Sequence, residues 1–95
     1  MEFLVEIDLN WPADGDPQRR AELAVAENKR AMELGAEGIL VKLWRIPGAR
    51  KNVGLWRAPD ATELHDALSS LPFFPWLEIR VRPLAAHPND PSAGK

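Results

Sequence analysis

Hydrophobic and polar residues alternate near both ends of the chain, a period of two that is typical of half-buried β-strands. Residues 2–9 place apolar side chains at the odd positions and mainly acidic ones at the even positions. Residues 77–82 alternate in the same way, with glutamate or arginine at the even positions. Two further apolar segments, 39–46 and 51–57, stand on either side of a Pro-Gly turn signal. The pattern therefore predicts four strands, the middle two forming a hairpin.

Two helices are predicted between these strands. Apolar residues recur every three or four positions over residues 17–35, with Asp16 as the expected N-cap. On a helical wheel their stripe is centred near Asn28, and we expect this stripe to face the core. A shorter helix is predicted after Asp60, which begins a capping-box pattern, and it should end before Pro72.

The element order βαββαβ predicts a ferredoxin-like α+β fold, an antiparallel four-stranded sheet with both helices on one face. We expect one domain over residues 1–83 and a C-terminal tail, residues 84–95, that packs on a partner subunit if it is ordered. The other face of the sheet is expected to carry Leu4, Trp44 and Trp56. Such an apolar face favours dimerisation.

Composition narrows the classes of function. The chain has 95 residues, 45% of them hydrophobic, a net charge of −2 and no cysteine. No basic stripe suggests nucleic-acid binding. No apolar run approaches the roughly 20 residues that span a membrane, and the N-terminus lacks the pattern of a secretory signal. We therefore expect a cytoplasmic protein that binds neither nucleic acid nor membrane.

Glu27 is the candidate proton acceptor. Its neighbours one helical turn away include apolar residues such as Leu23. Burial among them would raise the pKa of the carboxyl, as a general base near neutral pH requires. The alternative is a surface ion pair with Arg20 or Arg30. Asn28, a polar amide on the predicted core-facing stripe, either holds a ligand oxygen or satisfies a backbone group.

Three residues around the predicted hairpin are candidates for substrate binding. Arg45 could pair with a substrate carboxylate, Trp44 could form a wall of the pocket, and Asn52 could donate to a ligand carbonyl. The alternatives are an arginine lying over a surface aromatic ring and an asparagine that shapes the turn. His65 and His87 have no companion at metal-ligand spacing, so no metal site is expected.

Several motifs resemble those of a known family over Met1 to about Pro88. They are Glu37-Gly38, Leu-Trp-Arg-Ile at 43–46, Gly48, Asn52, Leu-His-Asp at 64–66, the Leu-Pro-Phe-Phe-Pro run that begins a segment ending at Ile79, and His87-Pro88. The chain resembles the muconolactone delta-isomerases. The resemblance implies a ferredoxin-like barrel that dimerises and assembles into decamers. It also implies an enzyme without cofactor or metal that converts muconolactone to 3-oxoadipate enol-lactone in the β-ketoadipate pathway of aromatic degradation, with Glu27 as its base.

The chain also departs from the family pattern at residues 39–42 and 49–53, and it has Asn28 where members commonly have lysine. Without that positive neighbour, the pKa of Glu27 is expected to be higher than in the relatives. These changes leave open a related butenolide as substrate, or a non-catalytic barrel that binds a different small hydrophobic acid. A cofactor-free ring monooxygenase and an RNA-recognition module share the topology, but the latter would need basic, aromatic-rich strands.

Overall fold

A computed structural model describes residues 1–92 and shows one sheet with two helices packed on it. The elements are β1 (Glu2–Leu9), α1 (Pro17–Ala36), β2 (Leu40–Arg45), β3 (Lys51–Arg57), α2 (Ala61–Ser69), a 3₁₀ turn (Phe74–Trp76) and β4 (Leu77–Leu84). The strand order is β2-β3-β1-β4 and every pairing is antiparallel. The predicted ferredoxin-like fold is confirmed.

The core lies between the helices and one face of the sheet. Phe3 lies opposite Trp56, and Val5 lies opposite Gly54, so these residues share the helix-facing side. Trp56 is only 2% exposed, so the prediction that it lies on the outer face was wrong. The segment 51–57 has apolar residues at both parities, so its orientation is fixed by its pairing with β1 and not by its own pattern. Leu4 belongs to the outer face, as predicted.

Both predicted helix starts are confirmed. The backbone N–H of Gln18 donates to Asp16 Oδ1 over 3.0 Å, and that of Glu63 donates to Asp60 Oδ1 over 2.8 Å. These bonds satisfy N–H groups that have no partner within the helix. The caps fix where α1 leaves the loop after β1, and this loop forms one wall of the site described below.

The predicted core-facing stripe of α1 was wrong. Asn28 is exposed, and Val25 and Met32 are 74% and 69% exposed. The side that packs on the rest of the chain instead includes Glu27 and the fully buried Leu34. The first two-thirds of the helix has small or apolar residues around much of its circumference, so the wheel does not identify the packed side. The consequence is that Glu27 lies closer to the core than Asn28.

The chain beyond Leu84 has no helix or strand as far as Ser92, and residues 85–92 are exposed. Residues 93–95, the end of the predicted tail, lie outside the described part. Over residues 1–92, neither helix is both long and apolar enough to cross a membrane.

Candidate functional site

An open cleft of about 870 Å³ lies between the loop after β1, the start of α1 and the β2–β3 hairpin. Its volume is within the range of small-molecule sites. The residues that line it are Leu9, Trp11, Pro12, Ala13, Arg20, Leu43, Trp44, Arg45, Arg50, Lys51 and Asn52. The cleft therefore combines apolar walls with several cationic groups and one amide.

Arg45 and Asn52 are brought together by strand pairing. They lie opposite each other on β2 and β3, and Ile7 of β1 lies opposite Asn52, so all three share the helix-facing side. Asn52 Oδ1 is buried without a hydrogen-bond partner among the described residues. An unpaired buried amide is unfavourable, so the carboxamide is a group for which a ligand could supply a partner. Arg45 and Asn52 thus border one cleft, and their predicted roles in substrate binding stay predictions.

Trp44 lies beside Arg45 but belongs mainly to the other face. It pairs with Val53, one position away from the Arg45–Asn52 pair, and Lys42 Nζ is 5.4 Å from the centre of its ring. Trp44 borders the cleft because it lies between Leu43 and Arg45 at the rim. Its predicted role as a wall of the pocket stays a prediction.

Trp11 forms an aromatic wall that the sequence analysis missed. Its ring lies 4.7 Å from that of Trp76 and 5.9 Å, edge-on, from that of Phe73. A Cβ on Gly15 would come within 2.7 Å of Trp11 Cε2, so only glycine fits beside the indole. Trp11 Nε1 is buried without an acceptor among the described residues. The sequence signal that could have identified Trp11 is its position in a loop rich in Pro and Asp, because a large apolar ring in such a loop is stabilised only by packing on other side chains.

Glu27 is partly buried and binds the backbone of another element. The N–H of Phe73 donates to Glu27 Oε1 over 3.1 Å. Burial raises the pKa of the Glu27 carboxyl, and the bond from Phe73 offsets part of this rise. The predicted upward shift is confirmed in direction. Over residues 1–92, Glu27 Oε2 accepts no hydrogen bond.

The alternative interpretation of Glu27 as a surface ion pair is not supported. Arg30 Nε donates to Ser70 Oγ over 2.8 Å, and Arg30 forms its ion pair with Glu33 at 3.5 Å. Arg20 lines the cleft and forms no ion pair among the described residues. Among the residues that the structure describes, no cation forms an ion pair with the carboxylate of Glu27.

Glu27 does not itself line the cleft, and neither does Asn28. Glu27 lies one layer behind the wall, since it binds the N–H of Phe73 and the Phe73 ring contacts Trp11. Arg20 lies seven residues before it in the same helix, about 10 Å along the axis. The cleft thus reaches the helix that carries Glu27, with Trp11 between the open volume and the carboxylate.

Two arginines of the cleft, Arg20 and Arg50, were also missed as site residues. The sequence predicts Arg20 only as a possible ion-pair partner of Glu27, and Arg50 only belongs to a segment that departs from the family pattern. Nothing in their local sequence marks them, because the sheet and the loop after β1 bring them together through tertiary contacts. Over residues 1–92, no group of three or more His, Cys, Asp or Glu side chains is placed to hold a metal ion.

Fold and cleft together define a small α+β protein with a cationic, aromatic-walled site and a carboxyl of raised pKa beside it. Comparison with known proteins places this arrangement in a family. The family model for muconolactone delta-isomerase matches residues 1–90, and the chain belongs to this family.

Named relatives cover nearly the whole chain. Muconolactone Delta-isomerase 2 of Acinetobacter lwoffii is 39% identical over 87 residues, which is 92% of this chain and 91% of the relative. The enzyme of Pseudomonas aeruginosa is 38% identical over 89 residues, 94% of this chain and 93% of the relative. A crystal structure of muconolactone isomerase superimposes with a TM-score of 0.89 at 37% identity, covering 95% of this chain and 94% of that one.

Proposed function

We propose that the chain is an isomerase that moves one proton and a ring double bond within muconolactone, or a related butenolide, to give 3-oxoadipate enol-lactone in aromatic degradation. Membership of the family supports the reaction class. The observation that supports it most within the structure is Glu27, a carboxyl whose pKa is raised by burial and that has no ion pair within residues 1–92. Such a group is suited to take up and return a proton near neutral pH.

One carboxyl group is sufficient for this reaction. Glu27 Oε2 removes the proton from the ring carbon that bears the carboxymethyl arm, and the electron pair moves through the ring onto the lactone carbonyl oxygen. The resulting dienolate resembles a 2-oxyfuran. The protonated Glu27 then returns the proton to the carbon next to the carbonyl, and the double bond has moved. Because the proton leaves and returns, substrate and product are isomers and no external acid is consumed.

The cleft residues supply binding and charge stabilisation in this proposal. Arg45 pairs with the carboxylate of the arm through its planar guanidinium group. The Asn52 carboxamide donates to the dienolate oxygen, where negative charge develops. Trp11 packs on the flat ring and separates it from solvent. A lactone that reaches Glu27 must displace or slide past this indole, so the proposal requires Trp11 to move on binding.

A second candidate function is a barrel that binds a different small hydrophobic acid without catalysis. One observation favours it, namely that Glu27 does not line the cleft. In that case the bond from Phe73 to Glu27 only joins α1 to the segment before β4. The two candidates differ in whether a bound lactone is converted to the enol-lactone.

The test is incubation of the purified protein with muconolactone in D₂O, followed by proton NMR. The isomerase proposal predicts loss of the substrate vinyl signals and appearance of enol-lactone, with deuterium beside the carbonyl in the fraction of turnovers in which the Glu27 proton exchanges with D₂O before it returns. The binding proposal predicts line broadening of the ligand signals without conversion or deuterium uptake. A protein that leaves the lactone unchanged over many substrate equivalents contradicts the isomerase proposal.

We also propose that two copies pair through the outer face of the sheet and that dimers assemble further, to decamers if the family pattern holds. Leu4 pairs with Leu55, and Val53 pairs with Trp44, which is 44% exposed, so these apolar residues form one outer patch. Water contact with such a patch is unfavourable. The tail beyond Leu84 is proposed to pack on the partner subunit. A cytoplasmic location is proposed because the chain has no cysteine to form disulfides.

A further inference from the structure

The cleft concentrates positive charge. Among the residues that the structure describes, its lining includes Arg20, Arg45, Arg50 and Lys51 but no aspartate or glutamate. Of these four cations, only Lys51 has an acidic partner within residues 1–92. Its Nζ lies 4.0 Å from Asp8 Oδ2, which is long for an ion pair. Cations gathered in one cleft repel each other unless an anion joins them. The cleft is therefore built for a negatively charged ligand.

The cations come from two parts of the chain. Arg45 ends β2 and Arg50 precedes β3, so both belong to the hairpin. Arg20 belongs to the first turns of α1, which border the same cleft. A carboxylate has two oxygens, which two neighbouring arginines can share. The one carboxylate of muconolactone therefore accounts for the two hairpin arginines and leaves Arg20 without a ligand group.

The proton transfer restricts the ring carbons to which a second carboxylate can be attached. The carbon that bears the arm must keep the hydrogen that is removed, and the carbon beside the carbonyl must be free to accept it. The ring carbon between these two takes no part in the proton transfer. A carboxylate on this middle carbon does not interfere with the proton transfer. It also extends from the side of the ring that must approach α1, the helix that carries both Glu27 and Arg20.

We propose that the cleft selects a butenolide dicarboxylate, with the arm carboxylate on Arg45 and Arg50 and a second carboxylate, on the ring carbon between the two reacting carbons, held by Arg20. This inference rests on the proposed function for the orientation of the ring. Trp11 Nε1, a buried N–H of the cleft wall without an acceptor among the described residues, is a donor that an anionic ligand can satisfy.

The test compares two stable planar probes, furan-2-acetate and 3-carboxyfuran-2-acetate, by calorimetry at one fixed, low ionic strength. The dicarboxylate is expected to bind the wild-type protein about 10- to 100-fold more tightly, the effect of one added charge-assisted contact. Arg20→Gln should reduce this preference to about threefold or less, the range expected from weak exposed charge contacts alone. Arg19→Gln is the matched control, since Arg19 is an exposed neighbour outside the cleft, and it should keep the wild-type preference.

Equal or undetectable binding of the two probes by the wild-type protein overturns the inference, as does an unchanged preference in Arg20→Gln. This outcome is separate from the proposed function. A protein that isomerises muconolactone but binds both probes equally retains the isomerase proposal and loses the dicarboxylate. A protein that prefers the dicarboxylate but does not isomerise muconolactone retains the ligand class and loses the isomerase proposal.

Discussion

Replacing Glu27 by alanine and by glutamine separates its hydrogen bond from its charge. Both substitutions remove the buried charge, but only glutamine keeps an oxygen that can accept from the Phe73 N–H, a 3.1 Å contact in the wild-type chain. Leaving that partly buried N–H without an acceptor costs about 1–3 kcal/mol. Glu27→Ala should therefore melt below Glu27→Gln by roughly 4–8 °C for each kcal/mol in a domain of this size.

The assay is thermal unfolding by circular dichroism at pH 7 and one protein concentration, because assembly makes the melting temperature depend on concentration. Lys29→Ala and Lys29→Gln are the matched control pair, since Lys29 is exposed on the same helix and measures the difference in helix propensity alone. Glu27→Gln should be at least as stable as wild type at pH 7, because burial disfavours the ionised carboxyl. Equal melting of Glu27→Ala and Glu27→Gln, after correction by the control pair, would refute the structural role of the Phe73 contact.

Three further predictions follow from the site and the sheet. Because the pKa of Glu27 is raised, the stability that its protonated carboxyl contributes is present below the unfolded pKa and is lost as pH rises through the folded pKa. The melting temperature of Glu27→Gln should therefore rise relative to that of wild type between pH 4 and pH 7, and a constant difference would contradict the raised pKa. Gly15→Ala should displace the Trp11 indole and destabilise the chain by about 1–3 kcal/mol, with a shift in tryptophan fluorescence, whereas an unchanged spectrum and melt would show that the loop yields freely. Leu55→Glu should weaken a symmetric dimer about 10²- to 10⁴-fold in sedimentation, since Leu55 lies beside Leu4 in each copy; an unchanged oligomer would exclude the outer face as the interface.

The fold was predictable because its elements have clear local signals. The alternation over residues 2–9, the Asp16 and Asp60 caps and the Pro47-Gly48 turn each specify local backbone geometry, and their order limits the topology. Trp56 was misplaced because its strand has apolar residues on both faces, so only pairing with β1 decides its side. Asn28 was misplaced for a similar reason, because α1 is rich in alanine around much of its circumference.

The site was predictable only in part. The Arg45–Asn52 pair followed from the hairpin, whose two strands are local in sequence. The upward shift of the Glu27 pKa followed from its apolar neighbours one helical turn away. The aromatic wall and the cation on α1 did not follow from the sequence. Trp11 lies in a loop that packs on Phe73 and Trp76, which are distant in sequence. Arg20 borders the cleft only because the fold brings the start of α1 beside the hairpin.

The most direct measurement of the central claim is kcat/KM of Glu27→Gln on muconolactone beside wild type and Glu37→Gln, a variant of an exposed glutamate at the end of α1, outside the cleft. If Glu27 transfers the proton, Glu27→Gln loses roughly 10²- to 10⁴-fold in kcat/KM, melts no lower than wild type, and no longer places deuterium beside the carbonyl, while Glu37→Gln matches wild type. A folded Glu27→Gln protein that turns over muconolactone as wild type does would contradict the claim.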